Sequence, residues 1–455
     1  MVAALVGLGL AAVGFPNPTG DSGGLISSAD AIRKCLSDPS QWGVFADTGC
    51  DGVPFAPLQY VPAIILLEWG ALGGQVMAAF SALSTVAFFG VLLMVWRLLR
   101  GRGTGLAYAG LVLVLSGPLL YYAASSFGEM LAAAGMVAVI YSLARRAPLA
   151  AVIASVWLAG ISKDTALPFV LLIAAVVIFS GEGKPRWLEV RGRVLAVAAG
   201  AVLAAATVGA LNLLRWGTLT NEAYNWDPYT APLSQVPKSA AGLLASPQGG
   251  LVIYWPLASL LILCTIPLVV RGLKRPRGER LSETWPAVAI LGMATAQLAV
   301  LAWWWAPFGW SAWGPRLALP TVTGLAVLTL WRYGGPITEW LHAARVRIWP
   351  FAAMFAVACF STLASLGALV RPLAVASPAP APPGICPDIP FSADTIDVYY
   401  RCLNYAMWEY EPVILLGIRE LPSSLALLAF AVVFTMAVGL LAWMATDSQP
   451  REERP

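Results

Sequence analysis

The chain has 455 residues, of which 59% are hydrophobic and only 11% charged, with a formal net charge of +4 and a mean hydropathy of +0.74. No soluble core hides that much apolar surface, so the composition excludes a water-soluble globular enzyme and points to a polytopic membrane protein. The small positive charge is explained by topology, below, and asks for no nucleic-acid partner.

Apolar runs near 1–15, 72–96, 105–123, 127–143, 147–161, 165–180, 194–214, 250–270, 285–305, 317–331, 348–370 and 423–445 predict an all-α protein of about twelve transmembrane helices. With the amino terminus inside, the inner loops carry Arg97, Arg100, Arg102, Arg145, Arg146, Arg191, Arg193 and further basic residues. The outer segments carry Arg33, Lys34, Lys163, Arg215, Lys238, Arg316, Arg371, Arg401 and Arg419. That division of the 28 basic residues favours the inside about two to one, as the positive-inside rule asks. Both termini are then cytoplasmic. The run over 1–15 rises only about 22 Å as a helix, short of a hydrocarbon core of about 30 Å. A start assigned too late explains this better than a cleaved signal peptide, because no basic region precedes the run and no small-residue cleavage site follows it.

Three long segments lie outside, over 16–71, 215–249 and 371–422, and the chemistry is expected there. In the first, Asp21 sits in a Gly/Ser-rich turn, Gly20-Asp21-Ser22-Gly23-Gly24, between the first span and an amphipathic stretch. A carboxylate at that interface suits a general base that takes the proton of an attacking hydroxyl; the alternative is that Asp21 or Ser22 caps the helix that follows. Asp30, Asp38, Asp47 and Asp51 in the same segment read as mostly solvated. Cys35 and Cys50 are close enough in sequence to bridge in an oxidising compartment, as are Cys386 and Cys402 in the third segment. Cys264 and Cys359 fall inside apolar runs and read as small apolar residues. A zinc site is the other use of such cysteines, but no CxxC occurs and the single histidine, His342, lies in an inner loop. A divalent metal is left open, with no ligand cluster visible.

Further along, Glu129 lies at the outer turn between the third and fourth spans. Lys163 and Asp164 lie at the turn between the fifth and sixth. A charge at a helix centre costs about 2.5–3.5 kcal/mol on insertion scales, so these groups are expected at the interface or paired with each other or with neighbours. Glu222 and Tyr254 belong to the second outer segment and the span that follows it. Next comes Trp303-Trp304-Trp305-Ala306-Pro307-Phe308-Gly309-Trp310-Ser311-Ala312-Trp313-Gly314-Pro315-Arg316, which brings five tryptophans and one arginine to the place where a span leaves the bilayer. An arginine there meets a lipid phosphate while its stem stays apolar; an aromatic belt with a snorkelling arginine is the plainer reading. The third outer segment opens on a stiff Pro-rich stretch, 377–383. It ends in Tyr405, Trp408 and Tyr410, which serve as interfacial anchors or stack on sugar rings.

The order of motifs resembles a known family. An early loop acid precedes Asn212-x-x-Arg215-Trp216-Gly217. Then come Gly242-Leu243-Leu244-x-Ser246-Pro247-x-x-Gly250-Leu251-x-x-Tyr254-x-Pro256 and Gly309-Trp310-x-x-Trp313-Gly314-Pro315-Arg316-x-x-x-Pro320. Together they resemble the polytopic GT-C glycosyltransferases, in particular the bacterial members related to protein mannosyltransferases and to lipid-linked aminoarabinose or arabinofuranosyl transferases. The likeness covers about residues 1–332, a catalytic transmembrane module; residues 333–455, with the last two spans, are not diagnostic. It implies sugar transfer from a polyprenyl-phosphate donor to an outer-face acceptor with inversion. Asp21 would be the base, Arg316, Lys163 and Arg215 would meet the donor phosphate, and Glu129, Asp164, Glu222, Tyr254, Trp310 and Trp313 would line the cavity. Protein mannosyltransferases carry two adjacent loop acids where this chain has Asp21-Ser22, so a glycan or lipid acceptor is favoured over a protein hydroxyl.

Two other classes use the same residues: a lipid or solute transporter that binds a headgroup without chemistry, and a non-catalytic membrane assembly protein. No fixed-period repeat or pair of matching broken helices appears, which counts against an inverted-repeat transporter.

Overall fold

The structure, a computed structural model, describes residues 20–43, 57–125, 128–180, 187–220, 230–274, 277–304, 306–308 and 314–343, short pieces between 356 and 368, and residue 402. The expected spans over 1–15 and 423–445 lie outside the described residues, as do both termini. The described chain is helical: a short helical piece over 358–365 follows fifteen α-helices. In chain order they are α1 Gly20–Leu36, α2 Pro57–Glu68, α3 Gly73–Arg100, α4 Thr104–Leu115, α5 Leu119–Tyr122, α6 Glu129–Ala144, α7 Leu149–Ser162 and α8 Leu167–Phe179. These are followed by α9 Trp187–Trp216, α10 Val236–Ala245, α11 Leu251–Tyr254, α12 Pro256–Leu263, α13 Thr265–Leu273, α14 Arg277–Trp303 and α15 Leu319–Ala343.

Four stretches, Gly73–Arg100, Trp187–Trp216, Pro256–Leu273 and Thr284–Trp303, are long and apolar enough to cross a bilayer. Their outward faces are apolar too: Val86, Leu195, Val202 and Val300 are all more than half exposed, which suits lipid and not water. Helices α4, α6, α7 and α8 are equally apolar, but at 12 to 16 residues they rise only about 18–24 Å. The structure also corrects several expected boundaries. The outer segment 16–71 holds α1, over the expected amphipathic stretch, and α2, and the segment 215–249 contains α10. The run 105–123 is broken after Leu115, where Pro118 cannot continue the helix. The carbonyl of Leu113 is taken up instead by the indole Nε1 of Trp255 at 2.9 Å, whose ring lies so close to Gly117 that a Cβ there would sit 2.4 Å from it. The run 250–270 is likewise divided, at Trp255-Pro256 and at Cys264.

The core is made by α6, which is buried on nearly every side by α3, α7, α8 and α15. Small residues let the backbones approach. A Cβ on Gly135 of α6 would fall 2.7 Å from the Ala159 Cα of α7, and one on Gly200 of α9 would fall 2.7 Å from the Ile153 carbonyl. Such small-residue crossings replace the hydrophobic driving force that lipid does not supply.

Helix direction sorts the charges between the two ends of this bundle. Arg97 and Arg102 flank the turn after α3, Arg145 and Arg146 follow α6, and Arg193 lies in the first two turns of α9. They share one end, where the Arg145 Nη2 donates to the Arg97 carbonyl at 2.6 Å and the Arg193 Nη1 to the Leu143 carbonyl at 3.4 Å. Glu129 at the start of α6, Lys163 after α7, Arg215 near the end of α9 and Arg316 before α15 belong to the other end. For these residues, the two groups separated by sequence fall at two ends of the bundle.

Candidate functional site

Three chain segments far apart in sequence put their charges together at the second end. Glu129 begins α6 directly after Gly128, and a carboxylate in a first turn is favoured by the helix dipole. Lys163 is the C-cap of α7, where the dipole favours a cation. Arg316 opens a single 3-10 turn, Arg316–Ala318, that leads into α15. One oxygen, Glu129 Oε1, accepts from Lys163 Nζ at 2.9 Å and from Arg316 Nε at 2.9 Å. The Glu129 side chain is 3% exposed, those of Lys163 and Arg316 20% and 15%. The other oxygen, Oε2, is buried with no hydrogen-bond partner among the described residues. Among the described residues the cluster is thus two partly exposed cations on one buried carboxylate.

Neighbouring residues fix these positions. Gly314 adopts φ +65°, in the left-handed region, and lies flat on the Tyr254 ring, where a Cβ would meet Cδ1 at 2.8 Å. Only glycine fits there on both counts. Tyr254 is itself 1% exposed, and its Oη donates to the Pro247 carbonyl at 3.3 Å. It shapes the Gly314-Pro315-Arg316 turn from beneath and does not present its ring as an open cavity wall. The second outer segment is tied to the Trp-rich stretch by the bridge between Thr230 and Trp304 and by the Ala231 N–H donating to the Trp303 carbonyl at 2.7 Å. Gln59 of α2 packs on Gly128, which brings the first outer segment against the start of α6.

Arg215 is set differently from Arg316 and Lys163. It is 2% exposed, with its guanidinium 5.4 Å from the Tyr60 ring centroid and 4.7 Å from that of Trp216. Burial pushes the Tyr60 phenol up to about 12, with the Arg215 charge and hydrogen bond pulling the other way. The turn after α9 is closed by Gly217 and Gly43, both at positive φ and stacked on one another, with the Gly43 N–H donating to the Leu214 carbonyl at 2.9 Å. Arg215 thus clamps α2 to the end of α9. Tyr60 and Gln59 were missed in the sequence; the one signal for them is a polar pair inside the otherwise apolar Pro57-Leu58-Gln59-Tyr60-Val61.

Asp21 is the second residue of α1. It therefore stands inside the first helical turn and not in the free Gly/Ser turn expected, and its side chain lies outside the described residues. So do the side chain of Asp164 and all of Glu222, Trp310, Trp313, Cys50 and Cys386. Two of the other loop acids are already engaged. Asp30 bonds Lys34 and Arg33, which hold its carboxyl below the usual range. Asp38 caps the 3-10 turn Pro39–Gln41 and is lowered by its bonds to Ser40. Cys35 and Cys402 are each disulfide-bonded and Cys264 and Cys359 are free thiols; the partners expected for the first two, Cys50 and Cys386, lie outside the described residues. Among the described residues, no group of three or more His, Cys, Asp or Glu side chains is placed to hold a metal ion. No protein-family model, curated protein or solved structure matches the chain.

Proposed function

We propose that the chain is a GT-C-like membrane glycosyltransferase that moves a sugar from a polyprenyl-phosphate donor to a glycan or lipid acceptor. The observation that carries this reading is the partly exposed Arg316 and Lys163 pair on buried Glu129, built where three apolar helices end. A paired, pre-oriented guanidinium and ammonium at that depth suit a lipid-linked phosphate, whose isoprenoid tail lies along the bundle while its phosphate meets the cations.

In the proposed step an acceptor hydroxyl oxygen attacks the anomeric carbon from the face opposite the phosphate, so configuration inverts. The bond from that carbon to the phosphate oxygen breaks, and both electrons leave with the polyprenyl phosphate. The hydroxyl proton passes to the Asp21 carboxylate. As the phosphodiester becomes a monoester it gains a negative charge, and Arg316 and Lys163 stabilise that charge in place of a general acid. Glu129 holds both cations in register and does not touch the reacting atoms. The proposal includes about twelve spans, cytoplasmic termini, a plasma or inner membrane location, and the Glu129 end of the bundle on the extracytoplasmic side.

The experiment is turnover of a radiolabelled polyprenyl-phosphate sugar by the wild type and Asp21→Asn. Loss of a general base lowers the rate by about a hundredfold or more, with donor binding retained. Transfer by Asp21→Asn at the wild-type rate removes Asp21 from the mechanism, and donor uptake without cleavage by the wild type favours the transporter.

A further inference from the structure

The opposite end of the bundle holds a second site that the proposed transfer does not use. A cavity of ≈ 370 Å³ lies between the turn after α3, the turn after α6, the end of α8, the start of α9 and the middle of α15. Among the described residues, Arg102, Arg145, Arg146 and Arg193 line it against one carboxylate, Glu189, and Trp331 lies beneath Arg102 with the guanidinium 4.9 Å from its ring centroid. Four guanidiniums facing one carboxylate leave the walls strongly cationic. Glu189 does not cancel that charge but organises it: its Oε1 lies 2.7 Å from Arg193 Nη2 and 3.5 Å from Arg146 Nε.

The backbone at Arg146 is the second observation. Helix α6 ends in a Schellman motif, with the Ala147 N–H donating to the Ser142 carbonyl at 2.9 Å and the Arg146 N–H to the Leu143 carbonyl at 3.2 Å. The left-handed residue of that motif is ordinarily glycine. Here it is arginine, at φ 53°, and among the described residues it is the only non-glycine with positive φ. A side chain held in this region at a cost to the backbone is a marker of function, and at this position it directs Arg146 to Glu189 and the cavity.

The surroundings select a lipid over a free anion. An adjoining cavity of ≈ 560 Å³ shares Gly101 and Arg145 with the first and adds Arg97, Arg100, Trp96 and Leu93. Leu93 is 50% exposed on the outward apolar face of α3. The cationic walls therefore run out onto a surface suited to acyl chains. We infer that this end of the bundle binds the phosphate headgroup of an anionic phospholipid, with Arg102, Arg145, Arg146 and Arg193 on the phosphate and the acyl chains against α3. Basic pockets between membrane helices have this chemistry.

The test uses the full chain, delipidated in neutral detergent and titrated with short-chain phosphatidylglycerol, phosphatidylcholine or inorganic phosphate, with bound lipid read by native mass spectrometry. Phosphatidylglycerol should be retained selectively, and Arg146→Gly should weaken it about tenfold, the loss expected for one charge-assisted contact. Glycine relieves the left-handed backbone, so this variant keeps or raises Tm and a folding defect does not confuse the result. Arg102→Gln should weaken binding in the same way. Phosphatidylglycerol binding unchanged in both variants overturns the site, and inorganic phosphate displacing the lipid at equal concentration overturns the lipid assignment.

Discussion

Replacing Glu129 with glutamine separates two things the site does, holding the helix ends together and binding an anion. The substitution keeps the volume and one acceptor oxygen but removes the charge that Lys163 and Arg316 share at 2.9 Å each. Taking one partner from a fully buried ion pair costs about 3–5 kcal/mol. Lys163 and Arg316 retain 20% and 15% of their side-chain exposure, so water recovers part of that, and a loss of about 1–3 kcal/mol of stability is expected. Donor binding should move the other way. A phosphate seated on the two cations lies about 6 Å from the Glu129 carboxylate, and at an effective dielectric of about 20 that repulsion is about 3 kcal/mol before screening. Neutralising Glu129 should therefore lower Tm while tightening a short-chain polyprenyl phosphate by about tenfold. Thermal unfolding in detergent and equilibrium binding of the labelled phosphate read the two effects separately. A folded Glu129→Gln protein that binds the phosphate tenfold more weakly is the contrary result, because the carboxylate's hold on the two cations would then outweigh its repulsion of the phosphate.

Arg316→Lys keeps the charge and loses the planar fork, so binding of the same phosphate should fall partially, and Arg316→Ala should fall further; equal affinity for wild type and Arg316→Ala is the contrary result. Alkylation of protein purified without reductant should label two thiols, Cys264 and Cys359, and leave Cys35, Cys50, Cys386 and Cys402 oxidised, whereas six labelled cysteines would contradict the bridged outer loops. Gly135→Leu should unfold the α6–α7 crossing, since even a Cβ lies 2.7 Å from the Ala159 Cα. Overpacking of this kind typically costs about 1–3 kcal/mol or more, and an unchanged Tm would show that the two helices are not in contact there.

The sequence shows where the cations end up, because charge bias and helix direction are two readings of one constraint: a helix that starts on one side finishes on the other. Glu129, Lys163 and Arg316 were all legible as charges at the ends of apolar runs. Their sharing of a single carboxylate oxygen was not, because it depends on how α6, α7 and α15 are rotated against one another. Arg215 shows the opposite failure. Its Asn-x-x-Arg-Trp-Gly motif suggests a phosphate contact, yet Tyr60 and Trp216 cover it, and nothing local to the motif reports the ring of a residue so distant in sequence. Tyr254 also belongs to a motif but serves as the floor under Gly314. Inside the segment 16–71, α1 follows the amphipathic stretch, whereas α2 escaped the hydropathy pattern because it is short and carries a proline at position 62. In that case, tertiary packing overrode a weak local signal.

Cleavage of a glycosyl phosphate bond is read best from its products. The full chain reconstituted in vesicles with a polyprenyl-phosphate sugar and a membrane glycan extract should release free polyprenyl phosphate in step with glycosylated acceptor of inverted anomeric configuration. Asp21→Asn should form neither above about one hundredth of the wild-type rate. Donor that binds, or crosses the vesicle membrane, and is recovered intact would contradict the account.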